Sequence, residues 1–314
     1  LVCTSVGAQS SDDFPVPPNM TVEGIPSIKR ADVEHLFFDP AEIRNNLIWD
    51  VDRKNRSLLV TDEKSLIYRV SSPMATPELV INDRFPNIVR ASPTSEMFAF
   101  TNDKDDSDNY ELFVWNGKEL RKLSVFTGKD ESVESLVWSR DGKRIFYTQV
   151  DFDTKTTKLC SHDLVAASCF LSDLKGIWNV LDADQNQFLL KYWKSSSNQS
   201  IYLYNGDTKK VMPLEEKGNS NKGFIAGERI FFLSEGTNEC GKERCLVSSD
   251  LKSSSQKRVV LPEGIVNLQD VKASPDGKHF LIQDPNDGID NLRIGKLRSN
   301  RIEVVASSFV RGSY

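Results

Sequence analysis

Trp138-Ser139-Arg140-Asp141-Gly142-Lys143-Arg144-Ile145-Phe146-Tyr147-Thr148 reads as a tight turn feeding a strand. Asp141-Gly142 supplies the positive φ such a turn needs, and alternation through Ile145 and Tyr147 suits a half-buried strand. The chain returns to this phrase. Ala273-Ser274-Pro275-Asp276-Gly277-Lys278-His279-Phe280-Leu281-Ile282 is nearly the same, and Ala91-Ser92-Pro93-Thr94-Ser95-Glu96-Met97-Phe98-Ala99-Phe100 is a looser copy. Residues 181–190 are looser still, and 49–60 and 224–233 are degenerate versions.

Set on Trp49, Ala91, Trp138, Leu181, Phe224 and Ala273, the copies step by about 42 to 49 residues, the length of one four-stranded propeller blade. A second apolar run follows each anchor, at 66–70, 111–114, 158–160, 201–204, 245–247 and 292–294. A third, shorter run closes most units, at 78–80, 120–123, 210–214 and 301–305. Strand, turn and strand repeated in this way predict an all-β chain, a β-propeller of about six four-stranded blades. The blades are expected at 47–83, 86–125, 133–173, 177–216, 222–262 and 266–306. Ahead of them, residues 9–46 form a leader that is Pro-rich and polar at first, in which 28–38 fits a short helix or an outer strand.

Composition narrows the partners. A net charge of −5, with basic residues scattered through the repeats, lacks the basic face or stripe that nucleic acid requires. No apolar run approaches the roughly 18 to 20 residues of a membrane helix, so no membrane span is expected. Leu1-Val2-Cys3-Thr4-Ser5-Val6-Gly7-Ala8 has the form of a signal-peptide tail. Val6 and Ala8 are small residues at the two positions a signal peptidase reads, which places cleavage after Ala8 and the protein in the periplasm or outside the cell. Cys3 does not suit a lipid anchor, because Val2 before it is bulky. The first residue is Leu1 rather than Met and the repeats run to within a few residues of Tyr314, so a piece of a longer reading frame is expected.

Cysteine usage agrees with export. With Cys3 set aside, four remain in two close pairs, Cys160 with Cys169 and Cys240 with Cys245, each bracketing a hairpin-like turn. Two disulfides are expected, each stabilising by about 2–3 kcal/mol on a chain-entropy account. A zinc site would want C-x-x-C spacing or interleaved histidine, and His35, His162 and His279 are spaced wrongly for it, so no metal and no cofactor is expected. Asn19, Asn55 and Asn198 open N-x-S/T sequons that could carry glycan in a eukaryotic secretory pathway.

Catalytic signals are wanting. The chain has no G-x-S-x-G nucleophile elbow, and Gly312-Ser313-Tyr314 resembles one only superficially, since it lacks the second glycine and follows the repeats directly. The three histidines read as surface or packing residues, so no catalytic residue is assigned. Residues 103–108 look like a calcium loop, yet Asp108 stands where an EF-hand needs Gly and Val114 where it needs Glu, which leaves a solvated hairpin turn. The S-x-x-K matches at Ser172 to Lys175 and Ser249 to Lys252 are expected in inter-strand turns without partner motifs. Trp49, Trp115, Trp138, Trp178 and Trp193 read as blade packing.

Several stretches resemble the N-terminal propeller of the prolyl oligopeptidase family, in its acylaminoacyl-peptidase and dipeptidyl-aminopeptidase branch. Gly24-Ile25-Pro26-Ser27-Ile28 is similar to the segment before that family's first blade, and residues 65–73 to its first inner hairpin strand. Residues 100–114 resemble a hairpin that the family usually writes with Gly-Gly, where this chain has Asp106-Ser107. Trp178-Asn179-Val180-Leu181-Asp182 and Asn286-Asp287-Gly288-Ile289-Asp290-Asn291-Leu292 carry the likeness onward, and in all it spans residues 24–306. Glu215-Glu216 resembles the acidic pair that holds a substrate amino terminus in dipeptidyl peptidase IV, but its surroundings differ, and a polar inter-blade loop is expected there. The resemblance implies a gating role: a non-catalytic propeller of an exported serine peptidase that admits short peptides to a C-terminal α/β-hydrolase domain absent from these residues. The alternative is a free-standing TolB-like propeller that binds a partner protein.

Overall fold

Each repeat folds into one antiparallel sheet whose four strands lie in chain order. The computed structural model describes residues 47–52, 57–61, 67–70, 78–81 and most of 86–311, which form twenty-four strands. The expected signal-peptide remnant at 1–8, the leader at 9–46, Asn19, Asn55, the turn at 104–108 and residues 312–314 lie outside the described residues. The first sheet is β1 (Leu47–Asp52), β2 (Ser57–Thr61), β3 (Ile67–Val70) and β4 (Glu78–Ile81). The second is β5 (Pro86–Ala91), β6 (Phe98–Asn102), β7 (Glu111–Trp115) and β8 (Leu120–Lys122). The third is β9 (Glu131–Trp138), β10 (Ile145–Asp151), β11 (Thr156–His162) and β12 (Ala167–Lys175). The fourth is β13 (Ile177–Asp184), β14 (Gln187–Ser195), β15 (Asn198–Asn205) and β16 (Lys210–Glu215). The fifth is β17 (Lys222–Ala226), β18 (Arg229–Ser234), β19 (Cys245–Asp250) and β20 (Gln256–Arg258). The sixth is β21 (Asp270–Ala273), β22 (His279–Asn286), β23 (Ile289–Arg298) and β24 (Arg301–Arg311). The fold is propeller-type and all-β, with no helix among the described residues.

The anchors Trp49, Ala91, Trp138, Leu181, Phe224 and Ala273 all fall in first strands, and the described residues of the second apolar runs all fall in third strands. Central strands bury both faces. Phe98 to Asn102 and Ile145 to Val150 are buried without interruption, because each such strand packs against a sheet on either side. Ile145 and Tyr147 join Leu112, Val114 and Leu123 of the second sheet. Phe146, on the opposite face, joins Trp178, Val180, Phe188 and Leu190 of the fourth.

In the second, third and sixth sheets the turn after the first strand is built on its serine. In the third sheet the Ser139 N–H donates to Arg144 O (2.8 Å), Gly142 N–H donates to Ser139 O (2.9 Å), and Arg144 N–H donates to Ser139 Oγ (2.9 Å). In the sixth sheet Ser274 makes the same set with His279 and Gly277 (2.8, 2.8 and 2.9 Å). The second sheet keeps the Ser92 N–H to Met97 O bond (2.8 Å) although the Asp-Gly pair is gone. Glycine is required where it remains. Gly142 sits at φ +67° and an added methyl would collide with Thr94 Oγ1, while Gly277 sits at φ +68° with Ala226 O 2.9 Å from where a Cβ would stand.

The chain divides into two compact units at Phe224/Ile225, the first holding sheets one to four and the second most of sheets five and six. In the first unit β1 lies beside β5, β5 beside β9, and β9 beside β13. All four first strands carry one extra residue against their partner strand, at Trp49, Asn87, Glu134 and Leu181. A bulge of this kind bends a strand and raises its twist. In the second unit Phe231 meets Phe280 edge-on, ring centres 5.0 Å apart. The Arg229 guanidinium donates to Ser248 Oγ (2.6 Å), Asn300 Oδ1 (2.8 Å) and Ser299 O (3.2 Å). Val260, just past β20, pairs in parallel with Arg301 of the next sheet.

Replacing Gly142 or Gly277 by Ala is expected to cost about 1–3 kcal/mol each, since both need positive φ and neither has room for a methyl. Urea titrations followed by tryptophan fluorescence check this, and Gly117→Ala, whose added methyl would meet only ordinary contacts with Glu96 and Trp115, serves as a milder comparison at positive φ.

Candidate functional site

The polar groups of the first unit gather on the row of first strands, where they bind strand to strand. Asn179 Nδ2 of β13 donates to Glu134 O at the β9 bulge (3.1 Å), and Val180 N–H donates to Ser135 Oγ (2.7 Å). Ser135 Oγ in turn lies 2.6 Å from Thr148 Oγ1, so one buried hydroxyl links β9, β10 and β13. Trp138 Nε1–H donates to Arg90 O of the second sheet (2.9 Å). Thr157 Oγ1 donates to Gly176 O (2.7 Å) and accepts Trp178 N–H (3.2 Å), tying the third sheet to the start of the fourth. On the turns, Arg140 reaches Asp182 at 2.7 Å.

Glu131, 2% exposed, begins β9 and pairs with Lys158 Nζ at 3.2 Å. Ser132 Oγ accepts Tyr110 N–H (3.1 Å) and donates to Glu134 Oε1 (2.7 Å). These carboxylates are held by partners, an arrangement that fixes geometry rather than moving protons. Among the described residues no three His, Cys, Asp or Glu side chains gather as metal ligands.

The cysteines are joined as Cys160–Cys169 and Cys240–Cys245. The first pair is cross-strand, directly opposed on β11 and β12, and it links a fully buried residue to an exposed one. The second closes the β18–β19 connection, with Cys240 in the turn and Cys245 opening β19.

The histidines do not come together. His162 is buried at the end of β11, where Nδ1 accepts Leu164 N–H (2.9 Å). Burial pulls its pKa below the ordinary value, Asp163 opposes that shift and Arg121 adds to it. His279 begins β22, and its buried Nε2 has no partner among the described residues. His35 lies outside the described residues. One expectation is corrected: Ser172 to Lys175 is not an inter-strand turn but the end of the outer strand β12, and Ser249 is buried within β19. Glu215 is 8% exposed at the end of β16, and Glu216 lies outside the described residues. Trp115, Trp138 and Trp178 pack within the sheets, whereas Trp193 is 42% exposed. Asn198 is exposed at the start of β15.

Residues 87–313 match the family described as the prolyl oligopeptidase N-terminal β-propeller domain. The chain belongs to the prolyl oligopeptidase N-terminal propeller family. Among solved structures, this propeller is similar to a prolyl endopeptidase studied for inter-domain dynamics in catalysis and specificity, at 15% identity and a TM-score of 0.59. That likeness covers 80% of this chain and 41% of the other. Prolyl oligopeptidase B from Galerina marginata is similar at 12% identity and a TM-score of 0.58, over 80% of this chain and 40% of the other. The propeller chain thus spans about two fifths of these peptidases' length. An oligogalacturonate lyase from Vibrio parahaemolyticus is similar at 11% identity and a TM-score of 0.61, over 83% of this chain and 77% of the other. At such identities these likenesses establish the fold alone, and one fold that serves a peptidase and a lyase leaves chemistry to be argued from residues. No curated protein sequence matches the chain significantly. No helix of the described residues is long and apolar enough to cross a membrane.

Two outcomes are expected. Replacing Cys160 and Cys169 together by Ala should cost about 2–3 kcal/mol of stability, read as a lower urea midpoint. Because the folded pKa of His162 is depressed, the unfolded chain binds the proton more tightly, so stability is lost as pH falls through about 6.5 toward the lower folded value. His162→Asn should flatten that part of the urea midpoint profile between pH 7 and pH 5.

Proposed function

We propose that this chain is the non-catalytic propeller of an exported serine peptidase, gating the access of short peptides to an α/β-hydrolase domain carried elsewhere in the same polypeptide. The observation that carries the reading is the family match over 87–313 in a sequence without a nucleophile elbow. Gating requires a body that keeps its shape while substrate is sorted by size. The hydrogen bonds from Ser135, Asn179, Thr157 and Trp138 supply stiffness of this kind by binding the third sheet to the first strands of the second and fourth. Export is supported by two disulfides, which persist in oxidising compartments, and by the signal-like residues 1–8. Asp182 and Arg140 then act as an outer brace. The exposure of Arg140 limits the pair to about 0.2–1 kcal/mol, so the buried bonds matter more.

A serine-directed fluorophosphonate applied to the complete polypeptide should label a residue outside 1–314, and residues 1–314 alone should not hydrolyse peptidyl-naphthylamide or acyl-peptide substrates. Labelling inside 1–314 would overturn the reading, and a reading frame without a hydrolase domain would favour the TolB-like binder. In the complete enzyme, Ser135→Ala with Asn179→Ala should raise kcat/KM for long peptides relative to short ones, and leave short-peptide turnover nearly unchanged.

A further inference from the structure

Three features meet at the β14–β15 hairpin of the fourth sheet. Asn198, exposed at the first position of β15, opens the sequon Asn198-Gln199-Ser200. Tyr192 is directly opposed to Ser200, and Trp193 to Gln199. Lys194 is the extra residue of a bulge between Trp193 and Ser195, and its ammonium lies 5.8 Å from the centre of the Tyr192 ring.

Strand alternation puts Asn198 on the side of the sheet shared by Ser200 and Tyr192. Asn198 and Tyr192 are therefore diagonal neighbours, about 7–8 Å apart, a span that long or aromatic side chains cross. The Tyr192 ring is held in place. It stacks on Trp178 with ring centres 4.6 Å apart, and Trp178 meets Tyr202 at 4.9 Å. Tyr192 and Tyr202 are only partly buried, so an oriented aromatic surface stands beside the acceptor amide, and the Lys194 ammonium over the Tyr192 ring is what a ligand on that face displaces.

We propose that Asn198 carries an N-linked glycan whose first N-acetylglucosamine lies against the Tyr192 ring. The bond forms between Asn198 Nδ2 and C1 of the sugar. The amide nitrogen loses a proton, and the diphosphate of a lipid-linked oligosaccharide donor departs. One face of the pyranose presents C–H bonds to the electron-rich ring face, while its hydroxyl and acetamido edges stay in water. Tethering makes the contact intramolecular, so even a weak attraction is populated. Ser200, whose hydroxyl the transferase must read, is fully buried in the folded sheet. Transfer therefore precedes closure of the β14–β15 hairpin, on the nascent chain. The proposal rests on the secretory reading above, in a eukaryotic host.

The test expresses the whole chain in eukaryotic cells behind a heterologous secretion leader, so that entry does not depend on residues 1–8. Amidase release in heavy-oxygen water should mark Asn198 as occupied, and Asn198→Gln should lose that mark. Trimming the glycan to a single N-acetylglucosamine should leave the thermal midpoint unchanged. Absence of that last sugar, in Asn198→Gln, should lower the midpoint by about 2–4 °C. Tyr192→Leu should abolish the difference between the single-sugar protein and its Asn198→Gln counterpart. A secreted, disulfide-bonded chain with bare Asn198 overturns the modification. An occupied Asn198 with a midpoint indifferent to the last sugar overturns the contact. Failure of the native leader to direct export in a separate expression would touch only the secretory reading.

Discussion

Everything in this protein follows from sheets that have two apolar faces and cannot cover either alone. A four-stranded sheet whose central strands read Phe98-Ala99-Phe100-Thr101-Asn102 or Ile145-Phe146-Tyr147-Thr148-Gln149 exposes hydrophobic surface on both sides until neighbours arrive. In the first unit the alternating residues of β10 are divided between the second and fourth sheets, so the third sheet is fixed by packing on each side. Stability in such an array is largely a sum of neighbour terms.

Apolar packing sets which sheets are neighbours, and a few polar atoms join their strands at defined points. Ser135 Oγ touches three strands, and one-residue bulges on β1, β5, β9 and β13 recur where first strands meet second strands. A one-residue slip reverses which face a side chain takes. Each bulge therefore lets the two halves of a first strand meet different demands, with the turn anchored at one end and the neighbouring strand at the other. The exposed Arg140–Asp182 pair contributes little by comparison.

The second strands were most legible in the sequence, because burial on both faces leaves dense apolar runs just after Asp-Gly or Ser-Pro turn signals, and the third strands followed as the next apolar runs. The outer strands were harder. β12 keeps only Phe170, Leu171 and Leu174 partly covered, and its Ser172 to Lys175 end looked like a turn for want of alternation. β20 is three polar or basic residues long and offers no pattern at all. Bulges left no mark, since Trp49, Asn87, Glu134 and Leu181 share no residue type. Of the site, the cysteine pairs could be read from their spacing around short turns. The hydroxyl stitching could not, because Ser135 and Thr157 look like any strand serine or threonine until the neighbouring sheet is in place. Trp193 looked like packing because only its place beside the turn of the β14–β15 hairpin leaves it uncovered.

The bond between buried Cys160 and exposed Cys169 has a consequence for how this protein can change over generations. A margin strand ordinarily earns its place through its own greasy side chains, and mutation there is punished. Here one covalent rivet does much of that duty for β12, so the surrounding letters Ala167, Ser168, Ser172 and Asp173 are released to drift, and the outer margin of the third sheet becomes a place where novelty accumulates without endangering the interior.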